Sequence, residues 1–448
     1  MSTAGPSTAA PANAPQQLHP IQAILQDIAT TNDPIKLNNQ LKTLSKDSRE
    51  NILASLLPGG EDPLNALDPE FNTIGCLWIL VARLNSNQTP YPDARIIEQF
   101  CKRFKPQHAK HASDKVTALA NSIYRIAQAS NNLRYALEPL YELVTRYPPT
   151  RSHLTTIHPL FLSVCVATQS FQAALPVLLH PIMEIDTSIS NITYNDNLQY
   201  HYAGGIAFGA LKRWKEAEEF FEICVTAPGQ APAAIQLEAL KKLTLVQLIL
   251  YGKALPTPKY THSTLVRLLK SSPYGTLSRS YPLSVPTLSQ LIHKDIETFN
   301  NEKNMGLVQQ AIERAPRWLI SKLTSTYLTL GLDDIAKEVG GITPDEVRTT
   351  ILRMIELGEI NAKISADGTV TFADSQVTVT KAEVDKALLQ AQEQSKVLLQ
   401  LERAMNLNKD YLTKALKHKD DAGWGPDEDL SFMGPGGHPG GWAEESVF

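Results

Sequence analysis

Apolar residues recur at spacings of three and four through most of the chain, the period of an amphipathic helix, and Leu, Ala, Lys, Glu and Gln dominate these stretches. Segments 116–129, 136–147, 160–167 and 171–179 each read as a short helix, divided from the next by polar or proline-containing breaks. A strict apolar alternation, the period of a strand, is confined to residues 360–372.

Within residues 200–228 the helical spacing becomes more specific. Gly205, Phe208, Ala217 and Phe221 fall on the small and large positions of a tetratricopeptide unit, and Cys224 occupies its next small position. Pro228 closes the unit one residue early and the leading Trp is absent. Gly205 and Ala217 are expected to let two antiparallel helices approach, with Phe208 and Phe221 filling the gap to the next hairpin. Weaker copies lie upstream at Ala136, Leu140 and Pro148, then at Ala174 and Leu178; the anchor alanines are 38 and 43 residues apart. The pattern predicts an all-α dominated fold beginning with a right-handed helical-repeat (TPR-like) solenoid; a non-repetitive helical domain is the alternative. Solenoids offer long faces to partners.

A different grammar begins near residue 318. Apolar residues at Trp318, Leu319, Leu323, Tyr327, Leu328 and Leu330 suggest a helix over 318–330, and residues 333–339 a second one closed by Gly340-Gly341. Thr343-Pro344-Asp345-Glu346 is a capping box with proline at the first helical position. The helix it opens carries Val347, Ile351, Leu352, Met354 and Ile355 and stops at Gly358. Ile360, Ala362 and Ile364 then alternate, Asp367-Gly368 supplies a turn, and Val370 and Phe372 alternate again. Three helices and a hairpin in this order predict a winged helix.

Thr380-Lys381-Ala382-Glu383 is a further capping box, opening a long helix that is expected to reach about residue 417. Val384, Ala391, Leu398, Met405 and Leu412 keep a seven-residue spacing, whereas Leu388, Ser395, Glu402, Lys409 and Leu416 form a mixed companion row. That stripe is too polar for a self-sufficient zipper, so the helix is expected to bury it in a bundle built with partners; packing onto its own domain is the alternative.

Charge and composition narrow the chemistry. The 448 residues carry 42 basic and 46 acidic side chains, a formal −4, and leave room for two or three domains. Seven of the acidic residues lie in 420–448, a Gly-rich segment without Lys or Arg that contains Trp424, Phe432, Trp442 and Phe448. It reads as a disordered acidic tail, its aromatics either docking motifs or unattached. Residues 1–18, uncharged and rich in Ala, Pro, Ser and Thr, read as a second disordered tail. Neither a secretory signal nor a membrane span is expected, and a soluble intracellular chain follows. The third winged-helix helix sets Arg348 and Arg353 against Asp345, Glu346 and Glu356, a local −1 that argues against a DNA-reading role.

Motifs for catalysis are missing. No phosphate loop, His-Glu-x-x-His, His-x-His or Gly-x-Ser-x-Gly occurs, and Cys76, Cys101, Cys165 and Cys224 form no Cys-x-x-Cys. Gly204, Gly205 and Gly209 lack dinucleotide spacing, and His108 with His111 sits among Lys102, Lys105 and Lys110, a solvated basic face rather than a metal site. No cofactor, metal or catalytic residue is expected.

The order of helical repeats, winged helix and terminal helix resembles the PCI-domain proteins, the scaffold subunits shared by the proteasome lid, the COP9 signalosome and the translation initiation factor 3 complex. The resemblance is carried by YHYAGGIAFGALKRWKEAEEFFEICVTAPG (200–229), LEALKKLTLVQLILYGK (237–253) with PKYT (258–261), KNMGLVQQ (303–310), LTSTYLTLGLDDIAKEV (323–339) and MIELGEINAKISADGTVTFAD (354–374). It covers about residues 198–375 and, more loosely, the rest of the chain. The second and third of these segments are similar to the signalosome branch of the family rather than to the lid paralogue. The resemblance implies a repeat domain over 19–197, a PCI domain over 198–375 (helical part 198–316, winged helix 317–375) and a bundle helix over 376–419. It further implies a non-catalytic subunit of the complex that removes a ubiquitin-like modifier from the cullins of cullin-RING ligases, in cytoplasm and nucleus. Six winged helices would line up edge to edge, with this chain between subunits 1 and 8 and its last helix in a bundle of all subunits. The expected contact residues are Ile360, Ala362, Ile364, Val370 and Phe372 on the wing, and Val384, Leu388, Ala391, Leu398, Met405, Leu412 and Leu416 on the helix. The alternatives are a PCI subunit of the proteasome lid or of translation initiation factor 3, a nucleic-acid-binding winged helix, and an autonomous peptidase.

Overall fold

The computed structural model describes residues 19–31, 33–86, 91–229, 231–373 and 380–413; both tails read from the sequence lie outside them. Twenty-one α-helices occur among the described residues, and strands are few and short. The chain divides into two units, 1–373 and 374–448.

In the first unit, helices follow one another as stacked neighbours. Ile157–Ala167 packs on Phe171–Leu178 and on α1 (Tyr194–Ala210); α1 packs on α2 (Trp214–Thr226), and α2 on α3 (Ala234–Tyr251). The four helices read from the sequence are present, with 136–147 divided between a 3-10 turn (Leu133–Ala136) and Leu137–Arg146. Ala136, Ala174, Ala217 and Cys224 are fully buried, as repeat anchors must be. The phenylalanines work inside the hairpin rather than beyond it. A methyl group added to Gly205 would lie 2.6 Å from the Phe221 ring, so that ring occupies the notch that glycine leaves in α1. Phe220 fills the notch at Gly204 in the same way and meets Phe208 edge to face at 5.1 Å.

One apolar core runs from Ile24 to Ala315, and a second, smaller one from Ile320 to Phe372. They are joined by a single helix, α4 (Met305–Thr324), with Pro316 inside it. The sequence reading of a helix over 318–330 is corrected here. α4 starts thirteen residues earlier and stops at Thr324, and Thr329–Gly331 is a strand, β1. The remaining elements are α5 (Leu332–Val339), α6 (Pro344–Glu356), β2 (Asn361–Ile364) and β3 (Thr369–Ala373). Sheet order is β1-β3-β2, all antiparallel, with Leu330 opposite Val370 and Ala362 opposite Phe372. Positive φ at Gly340, Gly341, Gly358 and Gly368 ends the helices and turns the hairpin where the sequence placed those breaks.

Candidate functional site

Two features expected to meet partners are the wing and the last helix, and local chemistry fixes both. Thr343 Oγ1 accepts from the Glu346 N–H while the Glu346 carboxylate accepts from the Thr343 N–H at 2.8 Å, which starts α6 and holds the Glu346 pKa down. Asp367 accepts from the Thr369 N–H and hydroxyl across the hairpin turn, and its pKa is lowered by the same bonds. Val347, Ile351 and Met354 bury one face of α6 against the sheet. Leu352 is 48% exposed because it lies one residue off that face, and Leu357 is exposed as well.

The wing residues occupy places different from those expected. Ile360, Ala362, Val370 and Phe372 are buried in the small core, and Ile364 packs partly against it. Their side chains are therefore spent inside the chain's own winged helix. β3 is the middle strand, so Val370 and Phe372 offer neither a free side chain nor an open backbone edge, unlike the contact role expected of them. What the wing does offer is the outer edge of β2, beyond which no strand lies among the described residues. Ser365 N–H donates to Thr369 C=O at 2.9 Å; by the alternation of an antiparallel ladder, the N–H and C=O groups of Ala362 and Ile364 face away from β3. Asn361, which the sequence reading passed over, and Lys363, weighed there only for its charge, present exposed side chains along that edge. Their polarity between alternating apolar residues was the available signal.

In the second unit, α7 (Lys381–Leu407) is opened by the Thr380–Glu383 capping box, with the Glu383 pKa lowered by the Thr380 N–H it accepts. None of its 27 residues is buried. Val384, Leu388, Leu398 and Met405 are all exposed large apolar groups, and Ala391 is exposed beside them. Leu399 and Leu401, outside the seven-residue row, are equally exposed, so the apolar stripe covers about half of the helix circumference. The helix ends ten residues before the expected point. Asn408 has extended ψ, and its Oδ1 accepts from the N–H groups of Asp410 and Tyr411, capping a new turn over 409–413. Leu412 is thus off the line of α7, although still exposed, and Leu416 lies outside the described residues.

Elsewhere the chemistry is structural. All four cysteines are buried; burial pushes the Cys76, Cys165 and Cys224 thiols up to about 12 and Cys101 higher still. His108 and His111 fall in separate short turns, Pro106–Ala109 and Lys110–Ala112, and no cluster of three metal-ligating side chains occurs among the described residues. No helix among them is long and apolar enough to cross a membrane.

A family description, COP9 signalosome complex subunit 3, N-terminal helical repeats, matches residues 36–266, and the PCI domain description matches residues 291–374. The chain is 32% identical over 353 residues to COP9 signalosome complex subunit 3 of Dictyostelium discoideum, covering 76% of this chain and 81% of that protein. To COP9 signalosome complex subunit 3 of Drosophila melanogaster it is 28% identical over 421 residues, covering 86% and 94% respectively. Helical repeats followed by a PCI winged helix, matched in order along most of the length, make the chain a member of the COP9 signalosome subunit 3 family.

Proposed function

We propose that the chain is a non-catalytic scaffold subunit of the signalosome, the complex that takes a ubiquitin-like modifier off cullins, with the isopeptidase carried by another subunit. The observation that carries this reading is α7. A 27-residue helix without one buried residue, striped by Val384, Leu388, Leu398, Leu399, Leu401 and Met405, is more apolar than an isolated solvated helix tolerates. Each of its leucines contributes about 1.5–3 kcal/mol when fully covered, so a bundle with the other subunits accounts for the stripe. The open edge of β2 adds a second contact of a different kind, backbone pairing with a neighbouring winged helix. The neighbours we assign are subunits 1 and 8, and the working compartments cytoplasm and nucleus.

The test is removal of residues 380–448 from a tagged chain. The truncated chain is expected to lose only the helical signal of α7 itself, to keep its melting behaviour and to stop co-purifying the other subunits. Unchanged recovery of those subunits overturns the bundle role.

A further inference from the structure

A cleft of about 250 Å³ opens where the larger helical core meets the winged helix, lined by Leu250, Arg314, Arg317, Trp318, Ser321, Met354 and Glu359. Trp318 is held there from below. Its ring lies over Gly252, where φ is +69° and an added methyl would come within 2.7 Å of the indole. The Trp318 indole nitrogen is buried and has no acceptor. A buried N–H left in that state costs on the order of 1–3 kcal/mol, so packing rather than a hydrogen bond holds Trp318 in the cleft wall.

The cations of the cleft are unequally engaged. Arg317 donates to both oxygens of Glu359, at 3.1 and 3.5 Å. Arg314 stays 3.7 Å from the same carboxylate, outside hydrogen-bond range, with its side chain about one third exposed. Two arginines against one glutamate leave the lining at a formal +1. Leu250 and Met354 supply apolar wall beside these donors. The volume is below that of a typical cofactor pocket and suits one or two side chains.

We propose that this cleft binds an acidic side chain of a partner protein together with the apolar residue next to it. The incoming carboxylate accepts from the Arg314 guanidinium beside the Trp318 ring, and the apolar neighbour covers Leu250 and Met354. Because α4 carries Arg314 and Trp318 while Met354 and Glu359 belong to the winged helix, an occupant touches both cores at their junction.

The full chain labelled with ¹⁵N at its tryptophans tests this directly, W318F identifying the Trp318 indole resonance. Addition of acetyl-Gly-Glu-Leu-Gly-amide is expected to move that resonance saturably and leave the other indole signals in place. The Gln-for-Glu peptide, and R314K with the original peptide, are expected to bind about ten-fold more weakly. Unchanged indole signals away from Trp318 in R314K show that the variant is folded. A Trp318 resonance that stays still up to about 10 mM peptide, or equal binding of the Glu and Gln peptides, overturns the proposal. Neither outcome bears on assembly through α7, which is read by co-purification.

Discussion

At the scale of single residues, His158 is a polar group that the fold keeps neutral. It is buried between repeat helices, its Nδ1 accepts the Thr155 N–H at 3.1 Å, and its ring meets Tyr200 edge to face. Burial lowers its pKa from 6.5 to about 4, and a proton on Nδ1 would face the donor it now accepts from. The unfolded chain therefore binds the extra proton first. This contribution to stability is full above pH 6.5 and is lost as pH falls from there toward 4, by on the order of 2 kcal/mol at pH 5. Urea unfolding midpoints measured at pH 7.5 and pH 5 should fall with pH in the parent chain. His158→Asn keeps an acceptor for Thr155 without the titration and should flatten the dependence; equal slopes in the two proteins would exclude His158 as a source. Nothing in the sequence marked this residue. Thr155 lies only three residues away, but the burial that shifts the pKa and the contact with Tyr200 come from the packing of successive helices, a relation no local pattern encodes.

Individual elements show which signals are local. The capping boxes at Thr343 and Thr380 and the Asp367-Gly368 turn were legible because the residues that make each bond lie within three positions of one another. β1 was misread as helix because Leu323, Tyr327, Leu328 and Leu330 suit a helical period equally well. Its strand character comes from Leu330 pairing with Val370, forty residues away. The break at Asn408 was local and overlooked: an asparagine three residues before Tyr411 is itself a cap signal. The open edge of β2 yields its own prediction. Proline at position 362 removes an N–H that faces away from β3, so the bonded pairs Asn361–Ala373 and Lys363–Thr371 are kept while strand addition is blocked. Ala362→Pro is expected to leave the circular dichroism spectrum of the isolated chain unchanged and to weaken its assembly with the other subunits at least about ten-fold in pull-down titrations. Full-strength assembly by the variant would remove the β2 edge from the interface.

For the whole molecule the question is what kind of force holds it to its partners. Outside 420–448 the chain carries 42 basic and 39 acidic side chains, and the outward residues of α6 include Leu352 beside Arg348 and Arg353, with exposed Leu357 just after its end. Contacts made by an apolar stripe and a strand edge should be nearly indifferent to salt, whereas nucleic-acid binding weakens steeply with it. Co-purification of the other subunits is expected to survive a change from about 0.1 to 0.5 M NaCl, and duplex DNA or RNA to show no salt-steep binding that R348E with R353E abolishes. Loss of the subunits at high salt would point to an electrostatic interface instead. The strand order β1-β3-β2 also has a bearing on synthesis. The strand that joins the other two is the last one made, so a ribosome that has produced β1 and β2 holds a winged helix with two unpaired borders and an open middle. Nascent chains halted before residue 369 should be captured by chaperones that recognise exposed strand and apolar surface, and those extended beyond residue 373 should be released once the missing strand has cleared the exit tunnel.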